Sequence, residues 1–60
     1  MKVEMYYEET IETIIMPVSE ISAFVSLMKD FGFEDSNGEV YKYRDASICE
    51  SGFVVYLDKQ

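Results

Sequence analysis

The sequence predicts a small α+β domain: one helix packed on an antiparallel sheet of four or five strands, ordered roughly ββαβββ. Three observations carry that expectation. The first residues alternate apolar and polar, one later stretch repeats apolar residues at helical spacing, and the second half breaks into β-rich runs at Asn37-Gly38 and Ser51-Gly52. Sixty residues allow a single domain, residues 1–60, with a thin margin of stability. A hydrophobic content of 48% with 15% aromatics is too rich for intrinsic disorder despite the acidity.

The strands at the start come first. Met1, Val3, Met5 and Tyr7 alternate with Lys2, Glu4, Tyr6 and Glu8, the period of a half-buried strand. Thr10 to Met16 is rich in Ile and Thr, whose branched β-carbons suit a second strand, and Glu8-Glu9 suits the turn between them. Ile11, Ile14, Ile15 and Val18 also match helical spacing, so both readings stay open for residues 10–16, with strand preferred.

After Pro17, the residues Ile21, Phe24, Val25, Met28 and Phe31 fall on one helical stripe, widened by Leu27. Ser22, Ser26, Lys29 and Asp30 mark the wet face. Ser19 is the expected N-cap, with Glu20 at the positive end of the helix dipole. Gly32 is expected to end the helix in the left-handed conformation, with Phe33 folding back onto Met28 in a Schellman motif. Phe24 and Met28 are expected at the centre of the core.

In the remainder, Asn37-Gly38 signals a tight turn. Val40 to Arg44 reads as a strand with Tyr41 and Tyr43 on one face and Lys42 and Arg44 on the other. Ser47 to Glu50 and Phe53 to Asp58 read as a terminal hairpin about Ser51-Gly52. Phe53, Val55 and Leu57 then point one way, and Val54, Tyr56 and Asp58 the other. One helix covers one face of such a sheet, so the second face is left wet or for a partner.

Several chemistries are excluded by composition. No histidine is present, so no Ser-His or Cys-His pair and no imidazole ligand exists. Cys49 is the single cysteine and forms neither an internal disulfide nor a cysteine-based zinc site, which fits a reducing cytoplasm. Glu50 beside it is expected to raise its thiol pKa. The start MKVEMYYEE carries acid where a signal peptide needs an apolar run, and no stretch approaches the roughly 20 apolar residues of a membrane span. The loop with Asp35, Asn37, Gly38 and Glu39 fails as an EF-hand, because alignment on Gly38 puts Phe33 and Arg44 at the two end ligand positions. The adjacent carboxylates Glu8-Glu9 and Glu34-Asp35 lack an apolar setting that would separate their pKa values. The expectation is a non-catalytic protein with no cofactor and no metal.

What remains is the placement of acid. Twelve Asp and Glu against five Lys and Arg give a net charge of −7. Glu4, Glu8, Glu9 and Glu12 crowd the first hairpin, and Asp30, Glu34, Asp35 and Glu39 crowd the region from helix end to turn. Charge of this size is ordinary for solubility, but two clusters differ from an even scatter. Alternate strand residues lie about 6.6 Å apart, close to two DNA base steps, so carboxylates at that spacing can stand in for phosphates. Five tyrosines add interface anchors, of which Tyr6 and Tyr7 must point to opposite faces. Direct binding to nucleic acid or anionic lipid is disfavoured by the charge.

In size, acidity, absence of histidine and small mixed fold, the chain resembles the small acidic inhibitor proteins that bacteriophages encode, anti-CRISPR proteins among them. The resemblance implies stoichiometric inhibition of a nucleic-acid-binding protein or ribonucleoprotein complex by a DNA mimic, in the cytoplasm of a host cell. The expected partner site comprises Glu4, Glu8, Glu9, Glu12, Asp30, Glu34, Asp35 and Glu39, with Tyr6 or Tyr7 at its centre. The alternative is a regulatory or structural interaction module, as a monomer or as a homodimer pairing through its open sheet face or an edge strand.

Overall fold

A computed structural model describes residues 1–60. The elements follow in the order β1 (Lys2–Tyr7), β2 (Thr10–Ile15), α1 (Val18–Phe31), β3 (Phe33–Glu34), β4 (Val40–Cys49) and β5 (Gly52–Lys59). The architecture is α+β, with one helix against one five-stranded sheet, and residues 10–15 are strand.

The sheet is mixed rather than antiparallel. Its order is β2-β1-β5-β4-β3, and the central pair β1 and β5 is parallel, from Val3 opposite Phe53 to Tyr7 opposite Leu57. All other neighbours are antiparallel. The reason lies in β5, whose run Phe53-Val54-Val55-Tyr56-Leu57 is apolar on both faces and so belongs in the middle of a sheet. Val54 and Val55 are both buried. Once β5 is central, its second neighbour is β1, which the helix crossing leaves running the same way.

Strand membership also differs from expectation. Val40 to Arg44 and Ser47 to Glu50 are not separate strands; they form the single strand β4, which continues through a bulge between Tyr43 and Asp45. No Gly or Pro interrupts residues 44–47, and one extra residue keeps Tyr41, Tyr43 and Ala46 on the helix side. The fifth strand is instead the two-residue β3, formed as the chain leaves the helix and pairs Phe33 with Tyr41.

The helix stripe is narrower than its periodicity implies. Ile21 and Met28 are buried, Phe24 and Val25 half-buried, while Leu27 and Phe31 are 57% and 77% exposed. Ser19 lies inside the helix rather than capping it. Pro17 occupies the N-cap without a side-chain hydrogen bond, because the β-region backbone that a cap needs is what proline favours. Gly32 ends the helix and donates to the Met28 carbonyl at 2.8 Å, but its ψ of −172° sends the chain straight into β3 rather than into a Schellman turn.

Val3, Met5, Tyr7, Val55 and Leu57 of the central strands meet Ile21 and Met28 of the helix, with Tyr41 beside them. β2 ends at Ile15 beside Lys2, whereas β3 starts beside Tyr41, which pairs with Lys59 at the opposite end of the sheet. The helix therefore runs corner to corner. A diagonal helix leaves the other two corners of that face uncovered, and both are cavities.

Candidate functional site

One uncovered corner gathers acid from two turns that are distant in sequence. The first is Glu8-Glu9, which joins Tyr7 to Thr10 in two residues. Glu8 has φ 54°, a conformation that favours glycine or asparagine. The second is the loop 35–39 between β3 and β4. There the Asp35 carboxylate accepts from the backbone N–H of Asn37 and of Glu39 at 2.9 Å each, and Gly38 takes φ 83°. Asp35 thus shapes the loop as well as carrying charge.

Between the two turns lies an open cavity of about 570 Å³. Glu8, Glu9, Glu12, Asp35 and Glu39 line it, with Tyr7, Thr10, Ser36, Asn37 and Tyr41 completing the wall. No Lys or Arg lines it. The closest cation is Lys59, whose Nζ stands 3.9 Å from a Glu8 oxygen with both side chains about half exposed; such a pair contributes little. No three of the carboxylates converge in the manner of a metal site.

Two tyrosines record the field of this corner. The Tyr7 hydroxyl donates to Glu12 Oε1 at 2.8 Å. That hydrogen bond, with burial and the neighbouring carboxylates, pushes its pKa up to about 12. Burial raises Tyr41 too, reinforced by Asp35, Glu8 and Glu39. Removing a proton here adds charge to a site already rich in it.

The expected site residues divide. Glu8, Glu9, Glu12, Asp35 and Glu39 come together at the cavity. Glu4 does not: it lies on the opposite face of β1, where it raises the pKa of Tyr6. Glu34 is exposed outside the cavity lining, with its carboxylate near Gly38, and Asp30 is exposed in the last turn of the helix. Glu4 and Glu12 sit on opposite faces, so the strands present no single row of carboxylates. Tyr7 is a core residue, 5% exposed, whose ring packs on Tyr41 at 4.6 Å and Phe33 at 5.7 Å. Tyr6 lies on the open face against Tyr56, 5.6 Å between ring centroids. Thr10, Ser36 and Tyr41 of the wall carry no sequence signal for the site, since only the fold of the two turns toward each other recruits them.

Two cations and the thiol are engaged elsewhere. Arg44 stands over the Tyr56 ring at 5.5 Å and pairs with Asp58 at 3.1 Å, and Lys29 lies over Tyr43. The Cys49 thiol is held below its ordinary pKa, contrary to expectation, because the Ser51 hydroxyl lies 3.3 Å away and favours the thiolate. The carboxylate that opposes this shift is Glu4, not the adjacent Glu50. The second uncovered corner is apolar, a cavity of about 420 Å³ between the helix and the β4–β5 hairpin. No helix is long and apolar enough to cross a membrane. Comparison with protein-family models, curated proteins and solved structures finds no match to this chain.

Proposed function

We propose that the protein is a non-catalytic acidic inhibitor, of the type that phage anti-CRISPR proteins represent, which docks its acidic corner on the basic groove of a nucleic-acid-binding protein or complex and blocks DNA there. The observation that carries the reading is the convergence of Glu8, Glu9, Glu12, Asp35 and Glu39 on one open cavity with no lining cation. A groove built for phosphates presents Lys and Arg to such a surface, and complementary potentials speed encounter and fix orientation. Glu8 adds support: a charged residue held at φ 54° keeps an acid where the turn itself favours glycine.

The test separates charge from fold. Glu12 holds Tyr7, and Asp35 holds its loop, so reversing either one disturbs structure. Glu8, Glu9 and Glu39 are exposed and are the ones to reverse to Lys together. A target is first captured from bacterial lysate, and duplex DNA then competes with the protein for it at low and high salt. The wild type should displace DNA, less so at high salt, and the triple reversal should not compete. Equal competition by wild type and triple reversal would sink the acidic-corner reading.

A further inference from the structure

We propose that two copies of this chain join antiparallel through β2, in the register that sets Thr13 opposite Thr13 of the second copy. β2 is a sheet edge of six residues with no Pro or Lys, and Glu12 is its single charge. Natural edges of this length are usually blunted by such residues. Its free hydrogen-bonding groups follow from the pairing on its other side. Met1 and Met16 exchange both backbone bonds, at 2.8 and 3.1 Å. In an antiparallel ladder bonded pairs alternate, so Thr10, Glu12 and Ile14 bond to β1, while Ile11, Thr13 and Ile15 turn their N–H and C=O outward.

Those same three residues place their side chains on the open face, with Ile11 56% and Ile15 75% exposed. A two-fold pairing must join outward-bonding residues to one another. Centring on Thr13 uses the whole strand: Ile11 meets Ile15 of the second copy, twice over, and each Glu12 meets an Ile14. Centring on Glu12 would oppose like charges, and centring on Ile14 would leave Ile11 unpaired. The chosen register also carries each Glu8-Glu9 turn past Met16 of the second copy, toward the start of its helix. That helix has no side-chain N-cap, and its positive end favours acid. On the open face the row Tyr56, Tyr6, Ile11 then continues into Ile15 of the second copy.

The dimer rests on the backbone of the β2 edge and does not require that the acidic corner bind a basic partner, although it draws Glu8, Glu9 and Glu12 of that corner toward the second copy. Its salt response is opposite in sign. Two copies of net charge −7 repel, so salt should tighten the dimer while it loosens docking on a basic partner. Sedimentation equilibrium across a concentration series at low and high salt should give twice 7.0 kDa at the upper end. Thr13→Pro removes an outward N–H and should return the mass to 7.0 kDa with the far-UV spectrum and melt retained. Ile15→Lys, a surface change that spares the backbone, should do the same. In a Cys49→Ser background, Thr13→Cys should cross-link on oxidation, since bonded pairs hold their Cα atoms about 5.5 Å apart, whereas Ile11→Cys should not. A 7.0 kDa species at every concentration and salt overturns the proposal, as does a dimer that Ile15→Lys leaves intact.

Discussion

The two corners that the helix leaves uncovered share an origin and differ in chemistry. The corner between the helix and the β4–β5 hairpin is walled mainly by apolar side chains, Val18, Ile21, Val25, Ile48 and Phe53 among them, with Ser22, Ser26 and Lys29 completing it. The corner between the two turns holds five carboxylates around two core tyrosines. The diagonal of one helix decides where both lie. What fills them is decided by different parts of the chain: mostly element faces in the first, and in the second two turns that bring four carboxylates beside Glu12 of β2. Faces are committed to burial by their periodicity, whereas turns are free to carry charge, which is why the acidic corner is the candidate for function.

The largest expected effect breaks the sheet that both corners share. Gly52 has φ 146°, and a β-carbon there would collide with the Lys2 carbonyl oxygen of the neighbouring strand. Gly52→Ala should therefore cost about 3 kcal/mol or more, close to the whole stability of a domain this size, and leave no cooperative thermal transition. Met28→Ala follows, at about 2–5 kcal/mol for a buried methionine. Phe24→Ala should cost less than Met28→Ala in the same denaturant titration, because Phe24 is half-buried. The opposite ranking would mean that the helix is rotated toward its Phe24 flank.

On the acidic side the effect of pH has a definite sign. The pKa of Tyr7 is raised from 10.0 to about 12 on folding. Its contribution is complete below the unfolded value and is lost as pH rises through the folded one. Tyr41 and Tyr6 are raised as well and act in the same direction. Stability should thus fall between about pH 10 and 12, and Tyr7→Phe should flatten that fall in melts taken across the range. An unchanged alkaline slope in Tyr7→Phe would remove Tyr7 from the account.

Smaller effects sharpen the contrast. Glu8→Gly relieves a left-handed backbone and should stabilise the fold by about 1 kcal/mol, while weakening the acidic corner's competition with DNA. Competition left unchanged by Glu8→Gly would remove Glu8 from the acidic site. At the apolar corner, Ile48 is 77% exposed. Ile48→Ser should shift stability by no more than about 0.5 kcal/mol in a melt.

Much of the architecture is written in local pattern. Alternation in residues 1–7, branched residues after Glu9, the spacing of Ile21, Val25 and Met28, and glycine at 38 and 52 each act over a few residues. Each of those elements forms where its pattern stands, and the two acidic clusters are visible as runs of charge. Local pattern does not reach decisions that span the chain. Nothing near β1 states that its second neighbour is β5, because parallel pairing follows from which strand needs burial on both faces. The bulge in β4 lets two short patterns merge, and the exposure of Phe31 depends on where the diagonal helix overruns the sheet. The same holds for the site. Charge runs in sequence include Glu4 and Glu34 as readily as Glu9 and Asp35, since strand alternation hides which face each one meets. Only the fold, by bringing the β1–β2 turn beside the loop 35–39, selects five carboxylates and adds Tyr41. Local sequence determines what each element is; the burial of β5 and the path of one helix determine which side chains meet.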